Sequence, residues 1–250
     1  MNNINRFVVI ITAFMTLSVV VVGISQQDKN PLPDFTQYQN VKAKKSAFFS
    51  YILPLVQAQN ATIKNQREQL AELKHLSEQE YSRSHRKLIL DLAKEYRLNS
   101  ESATKKEVAE LLLRVDQVPA SLALAQAAME SAWGTSRFAV QANNLFGQWC
   151  YQEGCGLVPL RRNAGSKHEV AKFDSVSDAV KSYLRNLNTH RAYTDLREQR
   201  ASLRNAGQTV TGHKLAEGLI DYSELREAYV HEIQAVIRIN TLAKYDSEAD

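Results

Sequence analysis

A mainly α-helical protein with one small β insertion is predicted by three features. Capping signals followed by apolar residues at helical spacing recur along the chain. The segment Ser121–Ser131 (SLALAQAAMES) is apolar on nearly every side, as a central buried helix must be. Soon after it, from Leu145 to Phe173, the helical period vanishes. There Gly147, Gly154, Gly156, Pro159, Asn163 and Gly165 punctuate the chain as strands and turns require.

The 250 residues suffice for one substantial domain plus a membrane or linker segment. Lys and Arg (31) exceed Asp and Glu (27), giving a net charge of +4 and a pI near 9.0. That mild excess favours approach to an anionic polymer or membrane surface. No Lys/Arg block, zinc spacing or ribonucleoprotein motif points to nucleic acid.

Phe7–Ile24 is almost wholly apolar and uncharged, with Arg6 as a positive flank. A signal peptide, cleaved after Ser25 with Gly23 at the −3 position, and an uncleaved anchor over residues 1–25 are both open. The anchor is the preferred reading, and either carries the remainder across the inner membrane. Residues 26–40, polar with Pro31 and Pro33, read as a linker.

Residues 41–103 read as a helical N-terminal region. Its first helix runs from Val41 to about Leu76 and places Phe48, Phe49, Ile52, Leu53, Val56, Ile63, Leu70 and Leu73 at apolar positions; Pro54 should kink or interrupt it. Ser77 and Glu80 form a capping box ahead of a helix presenting Leu88, Ile89, Leu92, Ala93 and Tyr96. A domain spanning residues 104–245 follows. It opens on a second box, Thr104 with Glu107, ahead of Val108, Leu111, Leu112 and Val115. Pro119 suits the first position of the buried helix and Gly134 its C-cap. Asn143-Asn144 marks a turn. His168, Val170 and Phe173 share one face of a returning strand, in a hairpin that turns near Asn163–Ser166. Ser175, with Asp178 at the third position, caps a helix whose apolar face is Ala179, Val180, Tyr183, Leu184 and Leu187. Helices over 192–205, 212–219 and 223–243 complete the chain.

The two cysteines, Cys150 and Cys155, lie in WCYQEGCG. Outside the cytoplasm such a pair oxidises to a short disulfide loop, which pins a local turn. Two thiols lack the further ligands that zinc needs, so no metal is expected there.

Glu130 is the chemical anomaly. It ends the most apolar helix, where desolvation and the negative end of the helix dipole both disfavour a carboxylate and raise its pKa. A carboxylic acid protonated near neutral pH can deliver the proton that a departing glycosidic oxygen requires.

The segment AQAAMESAWGTSRFAVQANNLFG resembles the signature of the glucosaminidase domain of glycoside hydrolase family 73 (mannosyl-glycoprotein endo-β-N-acetylglucosaminidase-like). The likeness continues through His168–Ser175 and the helix with Asp178, Ala179, Val180 and Tyr183, and extends from about Val108 to Leu242. WCYQEGCG and LRRNAGSKHEVAKF are similar to the Bax-type bacterial branch. The resemblance implies a lysozyme-like fold with a small β-hairpin lobe. It also implies hydrolysis of the β-1,4 bond after N-acetylglucosamine in peptidoglycan glycan strands, without cofactor. Glu130, in E-S-x-W-G, corresponds to the general acid. A second carboxylate in the β-lobe falls on Glu169, with Glu153 in the cysteine loop a weaker competitor. The family's Y-A-T-D-x-x-Y element is matched loosely by Tyr222–Tyr229 (YSELREAY), from which Tyr222 is chosen as the site tyrosine.

Trp149, Phe146, Tyr183 and Tyr193 are candidates for binding sugar rings, whereas Trp133 is read as packing beneath the acid-bearing helix. Two alternatives stand beside this reading. A muramidase or lytic transglycosylase also carries E-S at a buried helix end, but is typically followed by G-L-M-Q where N-N-L-F-G stands here. A non-catalytic wall-binding protein would keep the fold without turnover.

Overall fold

The computed structural model describes residues 31–160, 165, 167–223 and 225–246. The apolar run Phe7–Ile24 and, apart from Gly165, the expected turn at Asn163–Ser166 lie outside the described residues. Among those described, no helix is long and apolar enough to cross a membrane.

Helix α1 (Val41–Leu73) starts at Asn40, whose Oδ1 accepts the Ala43 N–H at 2.9 Å. Pro54 was expected to kink or interrupt it, yet α1 runs through without a break. Ser50 and Pro54 both face solvent, so the carbonyl that loses its intrahelical donor can bond water instead. The stripe from Phe48 to Leu73 is buried against α3 (Lys105–Arg114), α4 (Ala120–Glu130) and α6 (Val176–Thr189). The preceding stretch is not wholly a linker. Phe35 is buried, and its ring meets Phe48 edge-on at 5.4 Å.

The Ser77–Glu80 capping box closes only a single 3₁₀ turn. Helix α2 (Arg83–Glu95) starts afresh at Ser82, whose hydroxyl accepts the His85 N–H at 3.1 Å, after Tyr81 has turned into the core. Thr104 and Glu107 do cap α3 as the sequence predicts. Pro119 is the N-cap of α4 rather than its first residue, because its ψ of 133° is still extended. Every residue of α4 from Ala120 to Ala128 is buried.

The last carbonyls of α3 and those of the α3–α4 connection are met by guanidinium groups. Arg200, wholly buried on α7 (Thr194–Asn205), donates to the carbonyls of Leu113, Arg114, Asp116 and Gln117 and to Asn188 Oδ1. Arg67 on α1 donates to those of Leu112 and Val115. At the other end of the chain, Asp246 accepts the Ser121 N–H at 2.9 Å and the Gly212 N–H at 2.9 Å, fastening the start of α4 to α8 (Gly212–Leu215).

After α4 come α5 (Arg137–Ala142) and a three-stranded antiparallel sheet of β1 (Trp149–Cys150), β2 (Gly156–Leu157) and β3 (Glu169–Ala171). The order is β1-β3-β2, with Trp149 and Leu157 both opposite Val170. The expected single hairpin is therefore a sheet in which the returning strand pairs on both edges. Gly156 permits it, since a Cβ there would stand 1.9 Å from the Val170 carbonyl oxygen. Helix α9 (Glu227–Ile239) packs back on α4 and encloses the core.

Candidate active site

The E-S-x-W-G element is a helix terminus with a specific geometry. Beyond Glu130, residues Ala132, Trp133 and Gly134 all have positive φ (50°, 61° and 78°). Three consecutive left-handed residues are costly unless their surroundings hold them. Ser131 supplies part of the support, donating to the Ala127 carbonyl at 2.6 Å and accepting the Gly134 N–H at 2.8 Å. Trp133 packs edge-on against Phe48 and Phe49 of α1, with the Lys45 ammonium 4.7 Å above its ring. A Cβ on Gly134 would lie 2.4 Å from the Phe35 ring. The N-terminal helical layer is thus the buttress behind the turn that carries Glu130.

The N-N-L-F-G element crosses close to the acid. Asn143 ends α5 in the left-handed region (φ 52°). Asn144 is buried and donates to the carbonyls of Gln148 and Ala171, linking the crossing to β3. Gly147 also has positive φ, and a Cβ there would stand 3.3 Å from Glu130 Oε2.

Glu130 Oε1 accepts the Tyr229 hydroxyl at 2.8 Å. The Tyr229 oxygen accepts from Gln126 Nε2 at 3.0 Å, and Gln126 Oε1 accepts the Tyr183 hydroxyl at 2.6 Å. The amide orientation follows from satisfaction of the chain. Reversed, Tyr183 would become an acceptor with its own proton stranded beside the Phe146 ring stacked 3.9 Å away. An orphaned buried donor costs about 1–3 kcal/mol. The relay therefore directs the Tyr229 proton at Oε1. Burial raises the pKa of Glu130, and the Tyr229 hydrogen bond opposes only part of that rise. Burial also lifts Tyr183, Tyr222 and Tyr229 well above the ordinary phenol range and Tyr193 to about 12, so all four remain neutral donors at physiological pH.

Tyr222, chosen from sequence, instead donates to the Phe146 carbonyl at 2.7 Å and stacks on Tyr229 at 5.4 Å. The hydroxyl that reaches the acid belongs to Tyr229, and Gln126 was not singled out at all. A signal for Gln126 was available: it is the polar exception in the apolar segment and lies four residues before Glu130, on the same helix face. Phe146 and Tyr183, two candidates for sugar contact, are about 1% exposed and stack on each other in the core. Tyr193 is nearly buried beside Tyr222. Trp149 remains accessible at 57% exposure, with His168 stacked 4.3 Å away.

Glu169 is buried. Its Oε1 accepts the Gly154 N–H at 3.1 Å and its Oε2 the Gly156 N–H at 2.8 Å. The Cys150–Cys155 disulfide closes the same loop, and Cys150 pairs with Glu169 across β1–β3. These sulfurs and the Glu169 carboxylate form a compact donor cluster, but with the sulfurs bonded to each other no thiolate is available as a ligand. The double substitution Cys150→Ser/Cys155→Ser is expected to lower the stability of the lobe by about 2 kcal/mol. Protease cleavage confined to residues 150–170 and faster than in the parent would be the sign. Unchanged cleavage would mean that Glu169 holds the loop unaided.

A buried helix ending on a protonatable glutamate, with a phenol on one oxygen and a β-lobe beside it, is the kind of site found in enzymes that protonate a leaving oxygen. Residues 105–242 match the glucosaminidase family, described as mannosyl-glycoprotein endo-β-N-acetylglucosaminidase. The chain belongs to this glucosaminidase family. It is 35% identical over 210 residues, 84% of this chain and 74% of the relative, to the protein bax of Escherichia coli strain K12. No solved structure matches the chain at a significant level.

Proposed function

We propose that this protein is a peptidoglycan hydrolase that cleaves the β-1,4 bond after N-acetylglucosamine, with Glu130 as general acid. The setting of Glu130 carries the reading: a carboxyl with a raised pKa at the end of a buried helix, one oxygen held by a neutral phenol. Because Oε1 accepts from Tyr229, the acidic proton resides on Oε2, on the side of Gly147. From there it passes to the leaving glycosidic oxygen. A helical body with a β-lobe flanking the acid is the lysozyme-like plan, in which an extended glycan would lie between the two parts. Trp149 at the lobe edge offers the accessible aromatic face for a sugar ring. Phe146, Tyr183, Tyr193 and Tyr222 support the wall behind it. Such a substrate sets the work of the protein in the cell envelope, where Phe7–Ile24 would hold it on the periplasmic face of the inner membrane.

Digestion of purified peptidoglycan, followed by borohydride reduction and mass spectrometry, tests the bond. Reduced N-acetylglucosamine ends are expected. Reduced N-acetylmuramic acid ends would make the protein a muramidase, and 1,6-anhydro ends a lytic transglycosylase.

Tyr229→Phe is expected to reduce turnover by about 10-fold, because Oε1 loses its positioning donor. The pH profile reports the cause. Tyr229 stabilises the carboxylate, so its removal raises the Glu130 pKa further and moves the alkaline limb, where the acid is lost, to higher pH. Tyr222→Phe, whose hydroxyl meets a backbone carbonyl, should leave that limb in place.

For Glu169, fastening of the Gly154–Gly156 loop is the role its hydrogen bonds support. Glu169→Gln keeps the shape and one acceptor oxygen. A modest drop in activity together with a drop in melting temperature supports fastening. Loss of turnover by more than about 100-fold with an unchanged melting temperature would make it the second catalytic carboxylate.

A further inference from the structure

On elements other than those carrying the acid, a cavity of about 380 Å³ opens where the end of α1 and the turn after it meet α3 and α7. Val108 and Leu112 line it on the α3 side, and Arg67, Lys74, Lys105 and Arg204 bring four cations to its walls. The charge around this cavity is unbalanced. Asp116, buried behind it, is shared by three guanidinium groups. Arg204 takes both carboxylate oxygens at 2.7 Å, while Arg67 and Arg200 approach only to 3.5 Å.

Among the described residues, Asp116 is the only carboxylate within ion-pair distance of these three. Glu78 accepts the backbone N–H of Lys105 at 2.8 Å, and the charge of Lys105 favours ionisation of Glu80, so both offset Lys105. At Arg67, burial disfavours the charge most, Asp116 favours it, and Arg204 repels it in turn. The Arg204 fork is taken by Asp116, but an oxyanion placed between the two guanidinium groups would still relieve their repulsion.

We propose that this cavity binds a small amphipathic oxyanion, a carboxylate or phosphate monoester bearing a short apolar group. The anionic head lies among Arg67, Arg204 and Lys74, and the apolar part lies along Val108 and Leu112. The volume falls at the small end of ligand sites, which excludes a polymer segment lying wholly inside. Its walls come from both the N-terminal helical layer and the matched domain, so the occupant bridges them and raises the stability of the whole chain by linkage.

Isothermal titration of the protein with octanoate, octyl phosphate, inorganic phosphate and octanol tests this. Octanoate or octyl phosphate is expected to bind saturably and at least about 10-fold more tightly than phosphate or octanol, because only these probes supply both parts. Lys74→Glu/Lys105→Glu, two exposed positions outside the Asp116 cluster and the acid site, should weaken binding by about 10-fold or more without changing glycan hydrolysis. Ala109→Trp, exposed on the α3 wall, should block binding by filling the space. Co-sedimentation with phosphatidylglycerol vesicles distinguishes the source. Binding of soluble probes without vesicle binding supports a free solute, and both together support an amphiphile head. Equal binding by parent and both variants, octanol binding as tightly as octanoate, or binding to vesicles alone would each overturn the proposal.

Discussion

Glu130→Gln should lower turnover on peptidoglycan by about 10²–10⁴-fold, the span that a positioned general acid contributes. Its fold should be unharmed. The amide keeps the volume of the carboxyl and an oxygen that can accept from Tyr229, so the relay through Gln126 to Tyr183 stays intact. What disappears is the transferable proton on the side of Gly147. Wild-type activity should fall as pH rises through the Glu130 pKa. Burial sets that limb above the usual carboxylate range. Side-by-side product yields across pH, with circular dichroism to verify folding, make the check. Comparable hydrolysis by a folded Glu130→Gln protein would remove Glu130 from the chemistry, and no products from either protein would leave a wall-binding role for the scaffold.

Arg200→Met should produce the largest loss of stability, about 3–5 kcal/mol, the range observed when one member of a buried charged cluster is deleted. Arg200 is wholly buried, and burial lowers its pKa to about 10, so it is still charged at neutral pH. Its guanidinium satisfies four backbone carbonyls around the end of α3 and the start of the connection to α4. Methionine fills the space but donates nothing; the Asp116 carbonyl keeps Asn188 and the Arg114 carbonyl keeps the Asp116 N–H, while those of Leu113 and Gln117 lose the guanidinium. Urea denaturation reads the change directly. Lys87→Ala, which removes an exposed ion pair with Asp91, should shift stability by less than about 1 kcal/mol. A similarly small effect for Arg200→Met would mean that water reaches the connection and that the cluster is not what holds α4 in position.

Several structural features were legible because they depend on local chemistry. The capping box at Thr104 and the N-cap hydroxyl of Ser175 start helices as those residues at that spacing dictate. The prevailing apolarity of Ala120–Ala128 required burial, and a carboxyl near its end required a raised pKa. The cysteine pair followed from its spacing together with the expected location outside the cytoplasm. Other features escaped because one sequence does not say which faces meet. The period of α1 outweighed Pro54, since the lost hydrogen bond falls on the wet side of the helix. Phe35 left the polar stretch to pack behind Gly134, and aromatic residues that suit sugar were used to fill the core.

What the sequence by itself determined, then, is the helical class, the place of the β insertion and the raised pKa of the carboxyl at Glu130. Each follows from periodicity, capping and desolvation within a few turns of chain. Only the tertiary structure decided that Tyr229 rather than Tyr222 meets Glu130, that Gln126 bonds that phenol, and that Glu169 accepts the Gly154 and Gly156 N–H groups. It also decided that the N-terminal helices buttress the turn after Glu130. The physical reason is common to all four: each rests on hydrogen bonds or ring contacts between residues distant in sequence, whose partners are fixed only when α1, α4, α9 and the β-lobe close on one core.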